Sequence, residues 1–580
     1  MRTTGSVSAY GSELAALNAH SLRMSVWVIL AACAAFAADD LSRSFANPID
    51  LQYRMRPESD KDFREGADPD VVMWDGRYWL FASKCGGYFV SDNLVTWRLV
   101  RTDDLPLEEY APTAWVMDGR LHFSSRGGTV HRAVDAASGK WEQIKGRVPS
   151  LDSKLFHENG RLFDYYGAGT NRIPLWVQEF DPSTFAAIGR RLPIVEMDDT
   201  RFGWDVRGDA NDWVSRVGYK EGSYLTKRDG IYYFQCATPG TQFASYCDVA
   251  LTGPSPLGPF VRQKLNPFSQ KTRGYVRGAG HGCTFCDRHG NWWHLATCVI
   301  SGVNRRIVMF PVFFDPDGEM WCDTAFADWP MVVPDRKAAH PNDCHSGWMP
   351  LTYAKRVSVS SCAPGSRQEA IVDEDMRTVW CAETGRAGEW AEVDLGGMAE
   401  VRAVQIGFAE TEDVSPWRDR NATRKWRLDV SVDGKNWESA IGETDTPGAV
   451  DHPYRAFARP VRASKIRVVC MGLPAKTRFA LREIRAFGRR NMSLPQPPTS
   501  FSVLRDETDR RRVRLSWCAV KDAEGYIVRY GPAPDKLHLS LMVRDACEAE
   551  VRSLDAQLDY WWTIEAFNAA GISLPTCHNL

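Results

Sequence analysis

The sequence has almost no net charge and no run of basic residues. Its 71 lysines and arginines are matched by 73 aspartates and glutamates, which leaves a formal net charge of −2. Proteins that bind nucleic acids usually cluster basic residues on one face, so no nucleic-acid partner is expected. The sequence also has no dense framework of cysteines, since its 15 cysteines are scattered along 580 residues. A chain of this length predicts three or more domains, which can fold without disulfide bonds.

Beyond residue 37, no apolar run is long enough to cross a membrane. Residues 24–37 are apolar, follow Arg23 and end in Ala-Phe-Ala, a pattern that is too short to span a bilayer and suits signal peptidase. We therefore expect a signal peptide at residues 1–38, a secreted or periplasmic protein, and no membrane-spanning segment. Residues 30–33 also resemble a lipoprotein box, so a lipid anchor through Cys33 is the alternative. Met24 is an alternative start to Met1.

A strand, a tight turn and an aromatic strand recur five times in the first half of the chain. Asp-Gly and Asn-Gly turns between strands are typical of β-hairpins. Repeats of about 40 residues or more that are built from short strands are typical of β-propeller blades. Five copies therefore predict five blades. The turn residue that precedes glycine in each copy is Asp75, Asp118, Asn159, Asp229 or His289.

The same repeat identifies candidate functional residues. In a propeller the first strand of each blade lines the central channel, so equivalent positions converge on the axis. Three acids and one histidine are therefore expected to meet in one polar cavity. Asp70 competes with Asp68, because alternation places both on the same strand face. The positions seven or eight residues before the five turns are Asp68, Ala111, Asp152, Glu221 and His281.

One cluster in the fifth repeat superficially resembles a zinc site. Cys283 and Cys286 are spaced as C-x-x-C, with His281, His289 and His294 nearby. However, they fall on an alternating strand of the repeat, and no second cysteine pair stands at a finger-like spacing. No metal is predicted there.

The pattern changes after residue 345, where two further domains are predicted. Residues 356–489 carry a series of short strands, including the hairpin Ser431-Val-Asp-Gly-Lys-Asn-Trp437, and resemble a discoidin (coagulation factor 5/8 type C) module of the kind used by family 32 carbohydrate-binding modules. After a proline-rich linker, residues 497–580 carry Leu515-Ser-Trp517 and Gly525-Tyr-Ile-Val-Arg-Tyr530 and resemble a fibronectin type III sandwich. The expected fold is all-β: a lead-in at residues 39–60, a five-bladed β-propeller at residues 61–345, a discoidin-like jelly roll, and a fibronectin type III β-sandwich.

Acids around a channel suit glycoside hydrolysis, which needs one carboxylic acid and one carboxylate on either side of the bond. The propeller motifs resemble glycoside hydrolase family 43, a family of five-bladed propellers, and the resemblance covers roughly residues 61–335. The motifs occur in the family's order: Ala67-Asp-Pro-Asp-Val-Val, Asp152 before Leu155-Phe156, Glu221-Gly-Ser-Tyr and Gly280-His-Gly.

The family resemblance implies a role for each acid. Asp68 corresponds to the general base that activates water, and Glu221 corresponds to the general acid that protonates the leaving oxygen. Asp152 corresponds to the residue that raises the pKa of Glu221 and positions it. Since the family inverts configuration, the base and the acid are expected to lie roughly 6.5–9.5 Å apart.

The resemblance also implies substrate-binding residues. His281 is expected on the axis beneath the pocket, and either Arg305 or Arg306 is expected to bind a sugar hydroxyl. Residues 201–220, with Trp204, Asp205, Asp209 and Trp213, form a long insertion that either shapes the pocket or only connects two blades. A structural calcium ion, in the channel or near Asp373 and Asp375, remains open, and no cofactor is required.

The predicted protein is thus a monomeric glycosidase. It would remove terminal arabinofuranosyl, xylosyl or galactosyl residues from polysaccharides or glycans, with the discoidin-like module holding it on the polymer. The alternative is a non-catalytic glycan-binding or adhesion protein on the same propeller, which would not need Asp68, Asp152 and Glu221 together. A sialidase-like propeller is disfavoured, because repeated Asp-boxes and an arginine triad are not evident.

Overall fold

The structure is a computed structural model that describes residues 43–56, 64–149, 151–169, 173–302, 304–411 and 414–578. The predicted signal peptide, Cys33 and part of the predicted lead-in lie outside the described residues. Within them the secondary structure consists of strands and short 3₁₀ turns, so the predicted all-β fold is confirmed. None of the helical segments that are described has the length and apolar character needed to span a membrane.

Five antiparallel sheets follow one another along residues 67–322, and each forms one blade of a propeller. The strands of each blade pair in sequence order, so the first strand of every blade is its inner edge. The fourth blade has a fifth short strand that pairs with its third strand. Their bounds are Ala67–Trp74, Arg77–Ser83, Tyr88–Ser91 and Arg98–Val100; Thr113–Met117, Arg120–Ser124, Thr129–Asp135 and Lys140–Arg147; Lys154–Glu158, Arg161–Tyr166, Leu175–Phe180 and Ala187–Val195; Glu221–Arg228, Ile231–Thr238, Cys247–Gly253, Val261–Arg262 and Ser269–Gln270; Gly280–Cys286, Trp292–Ser301, Asn304–Phe314 and Met320–Cys322.

The hairpin turns explain why these segments fold as blades. In the first turn both Asp75 (φ 49°) and Gly76 (φ 69°) adopt the left-handed conformation, as a two-residue hairpin turn of the primed type requires. The turns at Asp118, Asn159 and Asp229 repeat this geometry. The fifth turn is different: Asp287 accepts hydrogen bonds from the backbone N–H of His289 and Asn291, which gives a longer side-chain-capped turn.

The lead-in packs against the propeller. Strand Ser44–Phe45 pairs with Met331–Val332, which follows the fifth blade. The side chain of Asn47 both donates to the carbonyl of Met309 (3.0 Å) and accepts from its N–H (2.9 Å). These bonds fix the start of the described chain to the third strand of the fifth blade, so these residues are part of the propeller's packing.

Two β-domains follow. The second domain is one eight-stranded sheet folded around a buried core that includes Trp380 and Trp426. The third domain is a sandwich of a three-stranded and a five-stranded sheet. The strands of the second domain are Met349–Pro350, Arg356–Val359, Trp380–Cys381, Trp390–Phe408, Thr423–Ser431, Glu438–Pro447, Tyr454–Gly472 and Ala480–Arg490. Those of the third domain are Ser502–Arg505, Val513–Ser516 and Glu548–Val551 in one sheet, and Gly525–Gly531, Leu539–Val543, Trp561–Asn568, Gly571–Ile572 and Thr576–His578 in the other.

Ion pairs join the domains. Arg64, at the start of the first blade, forms a buried pair with Glu410 of the second domain at 2.6 Å, and Glu410 also accepts from Arg424. Arg201 of the propeller pairs with Asp555 of the third domain at 2.8 Å, and its side chain is partly exposed. Since removing one partner of a buried ion pair is strongly destabilising, the Arg64–Glu410 pair holds the second domain firmly on the propeller. The second and third domains are therefore docked.

Candidate active site

A residue in the left-handed conformation lies within two residues of the start of each inner strand. A non-glycine residue there costs of order 1–3 kcal/mol, and such residues are concentrated at functional sites. In the first blade the pairing shifts between Ala67 and Asp70, which leaves a β-bulge at Asp68 and turns its side chain toward the channel. The five residues are Asp68 (φ 52°), Ala111 (φ 48°), Asp152 (φ 48°), Gly222 (φ 61°) and His281 (φ 49°).

In the fourth blade the left-handed position, seven residues before the turn at Asp229, is occupied by Gly222. The neighbouring Glu221 pairs with Ala237 on the second strand of the blade. A Cβ atom on Gly222 would lie 2.6 Å from Cγ of His281, so glycine is required where the imidazole passes. Glu221 therefore stands one residue before the left-handed position, and its carboxyl group still interacts with Asp68, Asp152 and His281, as predicted. Its carboxylate is held from the opposite side by Tyr246, whose hydroxyl donates to Oε1 at 2.8 Å.

Asp68 lies at the centre of the cluster. Its carboxylate accepts a hydrogen bond from the hydroxyl of Ser83 at 2.5 Å, and Oδ1 lies 3.3 Å from both Nη1 of Arg305 and Nδ1 of His281. Burial alone would raise the pKa of Asp68, but the two neighbouring positive charges and the Ser83 hydrogen bond outweigh it and lower that pKa. Asp68 is therefore a carboxylate at neutral pH.

Glu221 has the opposite character. Burial, followed by the negative charge of Asp152, raises the pKa of Glu221 to about 7, although His281 and the Tyr246 hydrogen bond act against this shift. Glu221 can therefore carry a proton near neutral pH. Two carboxyl groups in one channel whose environments move their pKa values apart form the arrangement that acid–base catalysis needs.

Asp152 and His281 connect these two groups. Oδ2 of Asp152 lies 3.9 Å from Nδ1 of His281 and accepts from the N–H of Gly222 at 3.4 Å. Burial and the charge of Asp68 raise the pKa of Asp152, while His281 lowers it. Burial would lower the pKa of His281, but the surrounding carboxylates raise it. The imidazole is held in place because Asp248 accepts hydrogen bonds from the N–H groups of residues 281 and 282, each at 2.9 Å.

The two candidate arginines point in different directions. Arg305 faces the site, where it bonds to Asp68, to Glu65 and, at 3.0 Å, to the hydroxyl of Thr241. Arg306 is fully buried and pairs with Asp451 of the second domain at 2.5 Å. The prediction that Arg306 contacts substrate is therefore corrected, because adjacent residues of a strand face opposite sides.

A second layer of charged residues lies beneath the first. The ammonium group of Lys154 lies 2.7 Å and 2.9 Å from the two carboxylate oxygens of Asp70 and 4.3 Å from the ring centroid of Tyr224. Asp70 therefore has a structural role as the partner of a buried lysine, whereas Asp68 faces the channel. The sequence interpretation missed Lys154, although it stands two residues after Asp152 just as Asp70 stands two after Asp68.

The described residues contain no group of three or more side chains placed to hold a metal ion. Cys283 is buried in the fifth blade, and the 14 described cysteines are all free thiols. The second domain carries Asp373 and Asp375, near which a calcium ion was considered. Asp375 forms ion pairs with Arg277 and Arg377, and Asp373 accepts a hydrogen bond from the hydroxyl of Thr378. These carboxylates are engaged in contacts within the protein, and the predicted calcium ion stays a prediction.

Two family models match parts of this chain. Residues 64–320 match the model "Glycosyl hydrolases family 43", and residues 356–484 match the model "F5/8 type C domain". The first match contains all of the site residues described above. Both matches confirm the corresponding resemblances in the sequence.

Two curated relatives match part of the chain. A β-D-galactofuranosidase of Aspergillus niger is 23% identical over 235 residues, which are 33% of this chain and 62% of the relative. A xylosidase/arabinosidase of Butyrivibrio fibrisolvens is 26% identical over 217 residues, which are 34% of this chain and 39% of the relative. The matched region thus spans less than two thirds of either relative. A solved glycoside hydrolase shares 18% identity with a TM-score of 0.42, over 73% of this chain and 97% of the other.

Proposed function

We propose that this glycoside hydrolase, whose residues 64–320 form a family 43 domain, hydrolyses glycosidic bonds with inversion of configuration. The observation that carries the proposal is the contrast between two carboxyl groups of one channel. The pKa of Asp68 is lowered by its positively charged neighbours, and the pKa of Glu221 is raised to about 7 by burial and by Asp152. One group is ready to accept a proton and the other to donate one.

In the proposed reaction Asp68 takes a proton from a water molecule, whose oxygen bonds to the anomeric carbon. The bond from that carbon to the leaving oxygen breaks, and Glu221 transfers its proton to that oxygen. Asp68 ends protonated and Glu221 ends ionised, so exchange of one proton with solvent restores both. Because water attacks the face opposite the leaving group, the product has inverted configuration.

The remaining residues position these two groups. Asp152 keeps Glu221 protonated through its charge and holds the backbone of Gly222. Arg305 keeps Asp68 ionised and reaches the channel from the fifth blade, where it can also bind a sugar hydroxyl. His281 balances the charge of the carboxylates around it.

The proposed substrates are polysaccharides or glycans with terminal arabinofuranosyl, xylosyl or galactosyl residues. The names of the two relatives, a β-D-galactofuranosidase and a xylosidase/arabinosidase, support this class. We further propose that the protein is a secreted or periplasmic monomer, that the F5/8 type C domain binds glycan, and that the third domain is a fibronectin type III sandwich. The order of strands in the two sheets of the third domain supports the fibronectin type III assignment.

A panel of aryl arabinofuranosides, xylosides, galactosides and galactofuranosides tests the activity. Turnover of one glycoside by the wild-type protein, with a large loss in Glu221→Gln, would support the proposal and name the sugar. Equal, near-zero rates of both proteins on aryl glycosides and on polymers would instead favour a non-catalytic glycan-binding protein.

A further inference from the structure

An exposed hairpin lies between the third and fourth blades. Its strands, Val206–Arg207 and Trp213–Val217, form a two-stranded sheet of their own. Trp213 is 50% exposed and Val214 is 72% exposed, and of the tryptophans in the described part of the chain Trp213 alone is classed as exposed. A lone two-stranded hairpin is marginally stable in water, so this one depends on its contacts with the rest of the protein.

The ring of Trp213 is held in place by its neighbours. Phe243 meets it edge-on, with ring centroids 5.8 Å apart and an interplanar angle of 87°. The guanidinium of Arg207 lies 5.9 Å from the ring of Trp213, 5.3 Å from Tyr219 and 5.4 Å from Phe243. Arg207 therefore sits among three aromatic rings and orients Trp213, while half of the tryptophan stays open to solvent.

The hairpin is attached to the loop that holds the candidate active site. This loop, residues 239–246, carries Phe243, and it also carries Thr241, which accepts from Arg305, and Tyr246, which donates to Glu221. The hairpin binds the loop through Asp209, whose carboxylate accepts from the N–H of residue 244 at 2.8 Å. Trp213 is thus connected to both Arg305 and Glu221 through a single short loop.

A cavity of about 210 Å³ lies beside the hairpin and the same loop. Its lining combines polar and apolar side chains, which come from the hairpin, from the fourth and fifth blades, and from the second domain. Such a lining offers donors and acceptors to several hydroxyl groups at once. The polar residues that line it are Asp209, Gln242, Arg277, Ser301 and Arg377.

We propose that Trp213 and this cavity form a subsite for a further sugar ring of the substrate, beyond the bond that is cleaved. The apolar C–H face of a pyranose or furanose ring can cover the exposed face of the indole, while its hydroxyl groups bind the polar lining. This inference rests on the proposed function, because it assumes that a saccharide occupies the channel. In this proposal, the inserted hairpin recognises oligosaccharides.

The consequence is a difference between long and short substrates. Contacts remote from the reacting bond add binding energy only when the substrate reaches them. An aryl monoglycoside has no further ring, whereas an oligosaccharide does. The quantity to measure is therefore the ratio of kcat/KM for an oligosaccharide to kcat/KM for an aryl monoglycoside of the same sugar.

The test compares Trp213→Ala, Trp213→Phe and a control, Val261→Ala, with the wild-type protein. Val261 is 67% exposed on an outer strand of the fourth blade, so the control removes a comparably exposed apolar side chain. We expect the ratio to fall about tenfold in Trp213→Ala, less in Trp213→Phe, and not at all in the control. An unchanged ratio in Trp213→Ala, with activity on the aryl glycoside present, would overturn the subsite and leave the proposed function intact.

A binding measurement separates the two proposals if no activity is found. Calorimetric titration of xylo- and arabino-oligosaccharides into Glu221→Gln, with and without Trp213→Ala, reads the subsite without turnover. Weaker binding in the double variant supports the subsite, and equal binding or no binding overturns it. Sedimentation that shows a wild-type dimer and a monomeric Trp213→Ala would also overturn it, because a second copy of the chain would then cover the tryptophan.

Discussion

Replacing Asp152 by asparagine should move the alkaline limb of the pH–rate profile to lower pH. In the structure, burial and then the charge of Asp152 raise the pKa of Glu221 to about 7. Asparagine keeps the size of the side chain and tolerates the left-handed backbone at this position (φ 48°), but it removes the charge. A charged neighbour typically moves a carboxyl pKa by about one unit or more, which corresponds to about 1.4 kcal/mol per unit.

The direction follows from the protonation states that the reaction needs. Glu221 must be protonated and Asp68 ionised, so kcat/KM falls as pH rises through the pKa of Glu221. If that pKa drops from about 7 to roughly 6, activity at pH 7 and above is lost first.

The assay is kcat/KM for the best aryl glycoside from about pH 4 to pH 9, which reports on the free enzyme. Asp118→Asn is the matched control, since Asp118 also has a left-handed backbone (φ 51°) but lies in an exposed turn at the far end of its hairpin. Its profile should equal that of the wild type. An alkaline limb of Asp152→Asn that stays in place or moves to higher pH would refute the role given to Asp152.

Three further substitutions have defined outcomes. Glu221→Gln should lower kcat by about 10²–10⁴-fold, with the largest loss for poor leaving groups, because these depend most on the general acid. Gly222→Ala should lower the free energy of unfolding by about 1–3 kcal/mol in chemical denaturation, since its Cβ would meet His281 at 2.6 Å and its backbone is left-handed. Glu410→Gln should cost about 3–5 kcal/mol in the same measurement, because it removes the counter-charge of the buried Arg64.

Matched controls make these outcomes specific. Glu142→Gln breaks the solvent-exposed ion pair with Arg132 and should change stability by less than about 1 kcal/mol. Gly119→Ala changes a left-handed glycine that has no atom within 4 Å of its added Cβ, so it isolates the backbone cost from the clash with His281. A Gly222→Ala variant no less stable than Gly119→Ala would show that the imidazole does not require glycine. A Glu410→Gln variant as stable as Glu142→Gln would contradict the docking of the second domain.

The repeat in the sequence was sufficient to predict the five blades and the four residues that meet in the channel. Asp68, Asp152 and His281 lie where the turn positions place them, because hairpin turns set the register of each inner strand. In the fourth blade the position seven residues before the turn is Gly222, and the neighbouring Glu221 supplies the carboxyl group. The pairing shifts there as it does at the start of the first and fifth blades.

Contacts between distant parts of the chain could not be predicted from the repeat. The choice between Arg305 and Arg306 depends on which side of the strand faces the channel, and Asp451, which captures Arg306, belongs to another domain. The same is true of Tyr246, which lies on a loop outside the inner strands and yet donates to Glu221. These partners are brought together by domain packing and by loops, which leave no periodic signal.

The most direct test of the proposed mechanism is the configuration of the first-formed sugar product, followed by proton NMR of the anomeric signal during early turnover of the best glycoside. Water activated by Asp68 and a leaving group protonated by Glu221 predict a product whose anomeric configuration is opposite to that of the substrate. A first-formed product with retained configuration would contradict the mechanism, because Asp68 would then have to act as a nucleophile.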